Sequence, residues 1–280
     1  MRVVNKEDVR PPAVADMFYP GEPETLDREV ERLLREADSP AVNGEIKALV
    51  CPHAGYMYSG PVAAAGYKLL LERDYSVAAV LSPSHRDWFP GVSVFTGRGY
   101  ETPLGLVKVA SELAEALLEQ DAAIRSSWAG HVKEHALEVQ LPFLHKVLPG
   151  VPILPIVLGE QSAETCQMLG EALAAVLRDI PSLIIASSDL SHYHRYDEAV
   201  AIDSHTIELL ESFDALRFLQ ALQQGEIQAC GGGAIAAAMV AGKKLGADKV
   251  DALLYRNSGD ATGDHSAVVG YVSAAMYKSC

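Results

Sequence analysis

The chain has 280 residues, is 49% hydrophobic and 21% charged, and carries a formal net charge of −14. That apolar share builds a packed core rather than a disordered chain, and an acidic balance without a Lys/Arg cluster excludes a nucleic-acid partner, because phosphate backbones are bound by cations. The first residues lack the apolar run of a secretory signal, residues 227–242 are too short and too rich in Gly and Ala to span a bilayer, and four cysteines make no disulfide framework, so a cytoplasmic protein off the membrane is expected.

Residues 9–22 read as a proline-punctuated arm with two adjacent aromatics, Phe18 and Tyr19. Residues 24–37 place Leu26, Val30, Leu33 and Leu34 on one helical face. A turn at Pro40, Asn43 and Gly44 precedes an apolar strand over 46–51 and a helix over 61–71. A second strand is expected over 77–82 and a short one over 92–95, followed by a turn-rich connection from Tyr100 to Gly105. Ser111 is a candidate N-cap for a helix ending near Gln120. Leu137, Leu141, Leu144 and Leu148 have helical spacing, with Pro142 marking a kink or the true helix start. A strand over 151–158 and a helix over 163–177 lead to an apolar strand over 183–187 without polar alternation, as expected when helices cover both faces. Helices follow over 196–210 and 215–223, then a Gly/Ala-rich helix ending near Gly246, and two alternating runs close the chain around the turn 258–264. The pattern predicts a single α/β domain, a mixed and mostly parallel central sheet flanked by helices.

The chemistry-bearing residues gather at strand ends. His53 follows the first strand, His85 the second, and Asp189 and His192 the run 183–187; open α/β sheets place their sites at such ends. Cys230 precedes three glycines at a helix start, where a thiol's pKa falls, so it is a candidate thiolate. Two imidazoles and a thiolate suit Fe, Zn or Cu, with one position left open. Taken singly, each histidine reads more readily as a loop residue with an ordinary hydrogen bond than as a ligand. His192 is a candidate acid or base with Asp189 orienting it, against the plainer reading of Asp189 as a helix cap. His131 and His135 are four apart, but Lys133-Glu134 stands in the wrong register for a zinc protease, leaving His135 and Glu138 as candidates to support the site. The glycines after Cys230 read either as an anion cradle or as helix packing.

Five motifs in order carry a resemblance over about 10–277: Pro-His-Ala-Gly-Tyr at 52–56, Pro-Ser-His at 83–85, Glu-His-Ala-Leu-Glu-Val-Gln-Leu-Pro-Phe-Leu at 134–144, Ser-Ser-Asp-Leu-Ser-His at 187–192 and Ala-Cys-Gly at 229–231. Together they resemble the MEMO family, whose prokaryotic members are often labelled AmmeMemoRadiSam system protein B. The resemblance implies a fold like that of class III extradiol ring-cleavage dioxygenases. It implies metal ligands at His53, His85 and Cys230, a pocket acid and base at Asp189 and His192, and pocket aromatics at Phe18, Tyr19 and Tyr58. A thiolate where those dioxygenases have a carboxylate favours iron or copper, with zinc as the alternative. The expected function is a metal-dependent oxidoreductase, with His192, Asp189 and His135 as catalytic candidates. The alternative is a non-catalytic adaptor reading a phosphopeptide or a partner protein; the prokaryotic label implies radical-SAM and AMMECR-type partners.

Overall fold

The computed structural model describes residues 3–280, and its described residues form a nine-stranded mixed sheet and a separate three-stranded sheet. Four parallel strands make the centre of the large sheet, in the spatial order Gly44–Cys51, Ser182–Ser187, Val77–Pro83 and Ile153–Leu158. The last three are buried along their whole length, so their side chains are apolar on both faces rather than alternating. Val268–Ser279 runs antiparallel beside Gly44–Cys51 and pairs on its other side with Lys249–Asn257 and His192–His194. Val92–Val94 and Ile124–Ser126 finish the opposite edge.

Helices cover both faces because their sequences leave little to hold the chains apart. Gly232–Lys244 packs its Ala/Gly face against Ala163–Leu177, with Gly170 against Val240 and Gly233 against Cys166 and Gln161. The helix Tyr56–Lys68 starts earlier than its periodicity suggests and carries Pro61 inside it, past the first turn, where the ring leaves the Met57 carbonyl without its helical donor. Ser111 is the first residue of the helix Ser111–Leu118 rather than its cap, which is Ala110. Pro142 marks a helix start: a short 3₁₀ turn, Glu138–Gln140, precedes the helix Leu141–Val147. The connection after Tyr100 is a hairpin, Gly99–Thr102 with Gly105–Lys108, and the arm strand Val9–Arg10 joins it to form the small sheet.

A buried ion pair locks that arm. Arg10 and Glu138 meet with side chains 1% and 0% exposed. Arg10 also donates Nε to the His131 carbonyl at 2.8 Å and Nη2 to the Glu134 carbonyl at 2.5 Å. Glu138 accepts from the backbone of Ala13 and Val14 and from the Tyr19 hydroxyl. Every charge-bearing atom of the pair thus has partners, which is the condition for burying charge at tolerable cost. Glu138 therefore anchors the arm and does not enter the cleft expected of it. The arm in turn passes to the sheet: the Phe18 carbonyl accepts from the Tyr56 backbone N–H at 2.8 Å, and the Phe18 ring lies 4.8 Å from that of His135.

Candidate metal centre

Parallel pairing in register brings three strand ends to one place. Cys51 pairs with Ser187 and Leu81 with Ala186, so His53, Asp189 and His85 leave the sheet on the same side. The loop after His131 adds His135 from above. One nitrogen from each of His53, His85 and His135 lies within 4.8 Å of the other two. A point central to three atoms so spaced lies at most about 2.8 Å from each, against roughly 2.0–2.1 Å for a metal–nitrogen bond, so ring movements of less than about 1 Å close the site on an ion. The residues fit a metal.

Hydrogen bonds on the far side of each ring decide which nitrogen is free. Ser187 has one hydroxyl proton and donates it to the Ala136 carbonyl at 2.6 Å; its oxygen accepts from Gln140 Nε2 at 2.8 Å. The His53 Nδ1, 3.0 Å from that oxygen, must then be the N–H donor, which leaves Nε2 with its lone pair. Glu134 does the same for two rings. Its Oε1 takes His85 Nδ1 at 2.9 Å and His135 Nδ1 at 3.2 Å, and a carboxylate only accepts. All three imidazoles are thereby set to present Nε2, the arrangement in which a carboxylate or hydroxyl behind the ring orients a ligand and raises its basicity.

The electrostatics agree. Burial opposes ionisation of Glu134, but hydrogen bonds from His135 and His85, the His85 charge and the Ala136 N–H outweigh it and hold the carboxyl far below its usual range. Burial, with the neighbouring His135 and His85, pushes His53 well below the ordinary imidazole value. His53 is therefore neutral and able to bind a cation at pH 7.

Cys230 stands on the other flank, its Sγ 3.1 Å from His53 Nε2. A nitrogen and a sulfur sharing one ion at about 2.1 and 2.3 Å are separated by roughly 3.1 Å at a right angle, so Cys230 is close enough to join the same coordination sphere as His53. The expectation that the helix terminus makes it a thiolate does not hold in the metal-free chain. Cys230 precedes the cap Gly231, and burial, with the nearby Asp189, pushes the thiol above its ordinary value despite the Asp189 N–H that points at the sulfur. Only a cation bound there would draw the proton off. The glycines that follow are packing residues. Gly231 donates to Ser188 Oγ and Gly233 to Gln161 Oε1, and a side chain at Gly231 would strike the Ser187 carbonyl.

Asp189 and His192 sit in the wall beside the cluster. His192 takes its orientation from the Leu190 carbonyl, 2.8 Å from Nδ1, while Asp189 Oδ1 accepts the His53 backbone N–H at 2.7 Å. Asp189 thus holds the His53 loop rather than the His192 ring; burial pushes its carboxyl up. A cavity of about 580 Å³ opens over these groups, lined by Phe18, Tyr58, His135, Asp189 and His192 among others. Sequence reasoning missed Glu134. It appeared there only as a residue out of register for a protease helix. His131–Glu134 is not helical, and Glu134 folds back to accept the N–H groups of His135 and Ala136, which brings its oxygens between two rings.

Comparison with known proteins places the chain. The family model described as Memo-like protein matches residues 10–275. A MEMO1 family protein of Methanosarcina mazei is 40% identical over 269 residues, covering 95% of this chain and 98% of that protein. One from Nitrosopumilus maritimus is 37% identical over 268 residues, covering 94% and 98%. In fold, an uncharacterized Escherichia coli K12 protein, JW3007, superposes with a TM-score of 0.54 at 17% identity, over 82% of this chain and 99% of that one. No described helix is long and apolar enough to cross a membrane. With a family model spanning nearly its whole length and relatives alike from end to end, the chain belongs to the Memo-like protein family.

Proposed function

We propose that this protein is a metal-dependent oxidoreductase whose ion, iron or copper, is held by His53 and His85 together with His135 and Cys230. The observation that carries this reading is that one nitrogen from each of three imidazoles lies within 4.8 Å of the others while their Nδ1 atoms are all engaged, which leaves their Nε2 atoms free to bind. Three imidazoles gathered within reach of one point, each held from behind, are the arrangement that a cation between them stabilises. A sulfur donor beside them favours iron or copper over harder ions. Such an ion supplies Lewis acidity and a one-electron couple at the cavity floor.

The chain's own groups would do the rest. With Nδ1 donating to Leu190, His192 faces the cavity as a base at Nε2. Asp189 fixes the His53 loop, and Phe18 and Tyr58 exclude water from the ligand's flanks. A binding module that reads phosphopeptides gains no support, because the cavity lining contains no Lys or Arg.

Elemental analysis of protein purified without chelator tests the metal, and electron paramagnetic resonance tests the redox couple. About one iron or copper per chain is expected, lost in His53→Ala with circular dichroism unchanged. A chain that binds neither ion when offered both, or that holds one with no accessible couple, overturns the proposal.

A further inference from the structure

The cavity over the histidines is walled by aromatic rings and carboxylates, with no Lys or Arg among its lining residues. Phe18, Tyr58, Tyr193 and Tyr271 line it, and Asp264 lies at its wall with Ser258 and Thr262. Asp264 is ionised: the Ser266 hydroxyl and backbone N–H both donate to Oδ1 and pull its pKa down. Tyr193 is 78% exposed and held at φ 63°, a left-handed conformation that a bulky residue rarely keeps without reason. Aromatic faces are negative at their centres, and together with a carboxylate they make the environment that receives an organic ammonium ion. An anionic group in the same place would meet the Asp264 carboxylate with no Lys or Arg to pair with.

We propose, on the reading of this site as a metal-centred pocket, that its ligand is an aromatic compound carrying a positively charged amine. The ring lies among Phe18, Tyr58 and Tyr271, and the ammonium sits against Asp264 and the Tyr193 ring. The end of the ligand nearest His135 and His192 is left for an oxygen or nitrogen donor toward the ion. The volume of about 580 Å³ falls within the range of small-molecule sites.

Calorimetric titration with three para-substituted phenols of similar size separates charge from shape: tyramine, p-cresol and 4-hydroxyphenylacetate. It is run on Zn²⁺-loaded and metal-free protein, at about 0.15 M salt to screen the long-range field of an acidic chain. Tyramine is expected to saturate and to bind roughly tenfold more tightly than 4-hydroxyphenylacetate, with p-cresol between. Asp264→Asn is expected to bring the three affinities together, and Tyr193→Ala to weaken tyramine most. Equal or tighter binding of 4-hydroxyphenylacetate, or no saturable binding of any of the three, overturns the inference. Metal content measured on the same samples keeps the two readings apart. Charge discrimination in protein that takes up no ion upholds the cationic ligand and fails the metal centre; a loaded protein without discrimination does the reverse.

Discussion

Glu134 is where the metal reading meets its most direct test. One carboxylate holds two of the three imidazoles: its two oxygens accept four hydrogen bonds, and His135 Nδ1 lies a further 3.2 Å from Oε1. His85 Nδ1, His135 Nδ1 and the backbone N–H groups of His135 and Ala136 reach Oε1, and the His85 N–H reaches Oε2. Glu134→Gln keeps the acceptor that both rings share at the Oε1 position but turns an NH₂ group toward the His85 backbone N–H, so both rings keep their partner and the His85 loop loses its own. Removing a partner behind a ligating histidine costs about 10- to 100-fold in metal affinity, or roughly 1.4–2.7 kcal/mol. Glu134→Gln is expected at the lower end. Glu134→Ala frees both rings and is expected at the upper end or beyond. Competition for Zn²⁺ against a chromophoric chelator measures both. If the two variants keep their circular dichroism and bind Zn²⁺ within about twofold of the parent, Glu134 does not set the ligands and the proposed centre is wrong.

Three further outcomes follow from groups around the centre. Burial and the nearby Arg10 charge hold His131 down at about 3, against 6.5 in an unfolded chain. The folded state refuses a proton that the unfolded state accepts, so stability is complete above pH 6.5 and falls by about 1.4 kcal/mol per unit below it. Urea midpoints at pH 7 and 4.5 should show His131→Gln losing about 2.7 kcal/mol less over that interval than the parent; parallel losses would refute the assignment. Breaking the Arg10–Glu138 pair from one side, as in Arg10→Met, strands a buried carboxylate and should cost about 3–5 kcal/mol in chemical denaturation, while Arg10→Met with Glu138→Gln recovers part of it; a loss below about 1 kcal/mol would mean that the pair is hydrated. Ser187→Ala removes the acceptor that fixes the His53 tautomer and should lower Zn²⁺ affinity severalfold, up to about tenfold, and it also leaves the Ala136 carbonyl without that donor, at about 1–3 kcal/mol of stability, so affinity is read where the variant is folded. Unchanged affinity would mean that His53 presents Nε2 without help.

The parallel centre of the sheet was legible because it follows from local facts. An unbroken apolar run bounded by Pro or Ser and followed by small residues has few alternatives to a buried strand with a helix behind it, and 77–82 and 183–187 are such runs. The strand His192–His194 was not legible because it is polar and owes its pairing to a distant strand, and the hairpin after Tyr100 was not because its strands are short and glycine-rich and a third strand comes from the arm. The extended form of His192–His194 is a tertiary product.

The ring of ligands divides along the same line. His53 and His85 stand where strands end, so the register of the sheet alone brings them together, with ring centroids 5.1 Å apart. His135 belongs to no strand. It reaches the cluster because Arg10, more than a hundred residues earlier, binds the carbonyls of His131 and Glu134 in the loop that leads into it. That dependence is not a spacing, and no window of sequence contains it. It also ties the arm to the chemistry: Arg10 and Glu138 touch no ligand atom, yet they fix the loop that carries His135 and the arm that seats Phe18 against it. Substitutions there should therefore loosen metal binding as well as stability, whereas core truncations remote from that loop, such as Leu177→Ala, should lower stability alone by about 2–5 kcal/mol. Equal effects of both kinds on Zn²⁺ affinity at a temperature where each variant is folded would dissolve the link between arm and centre.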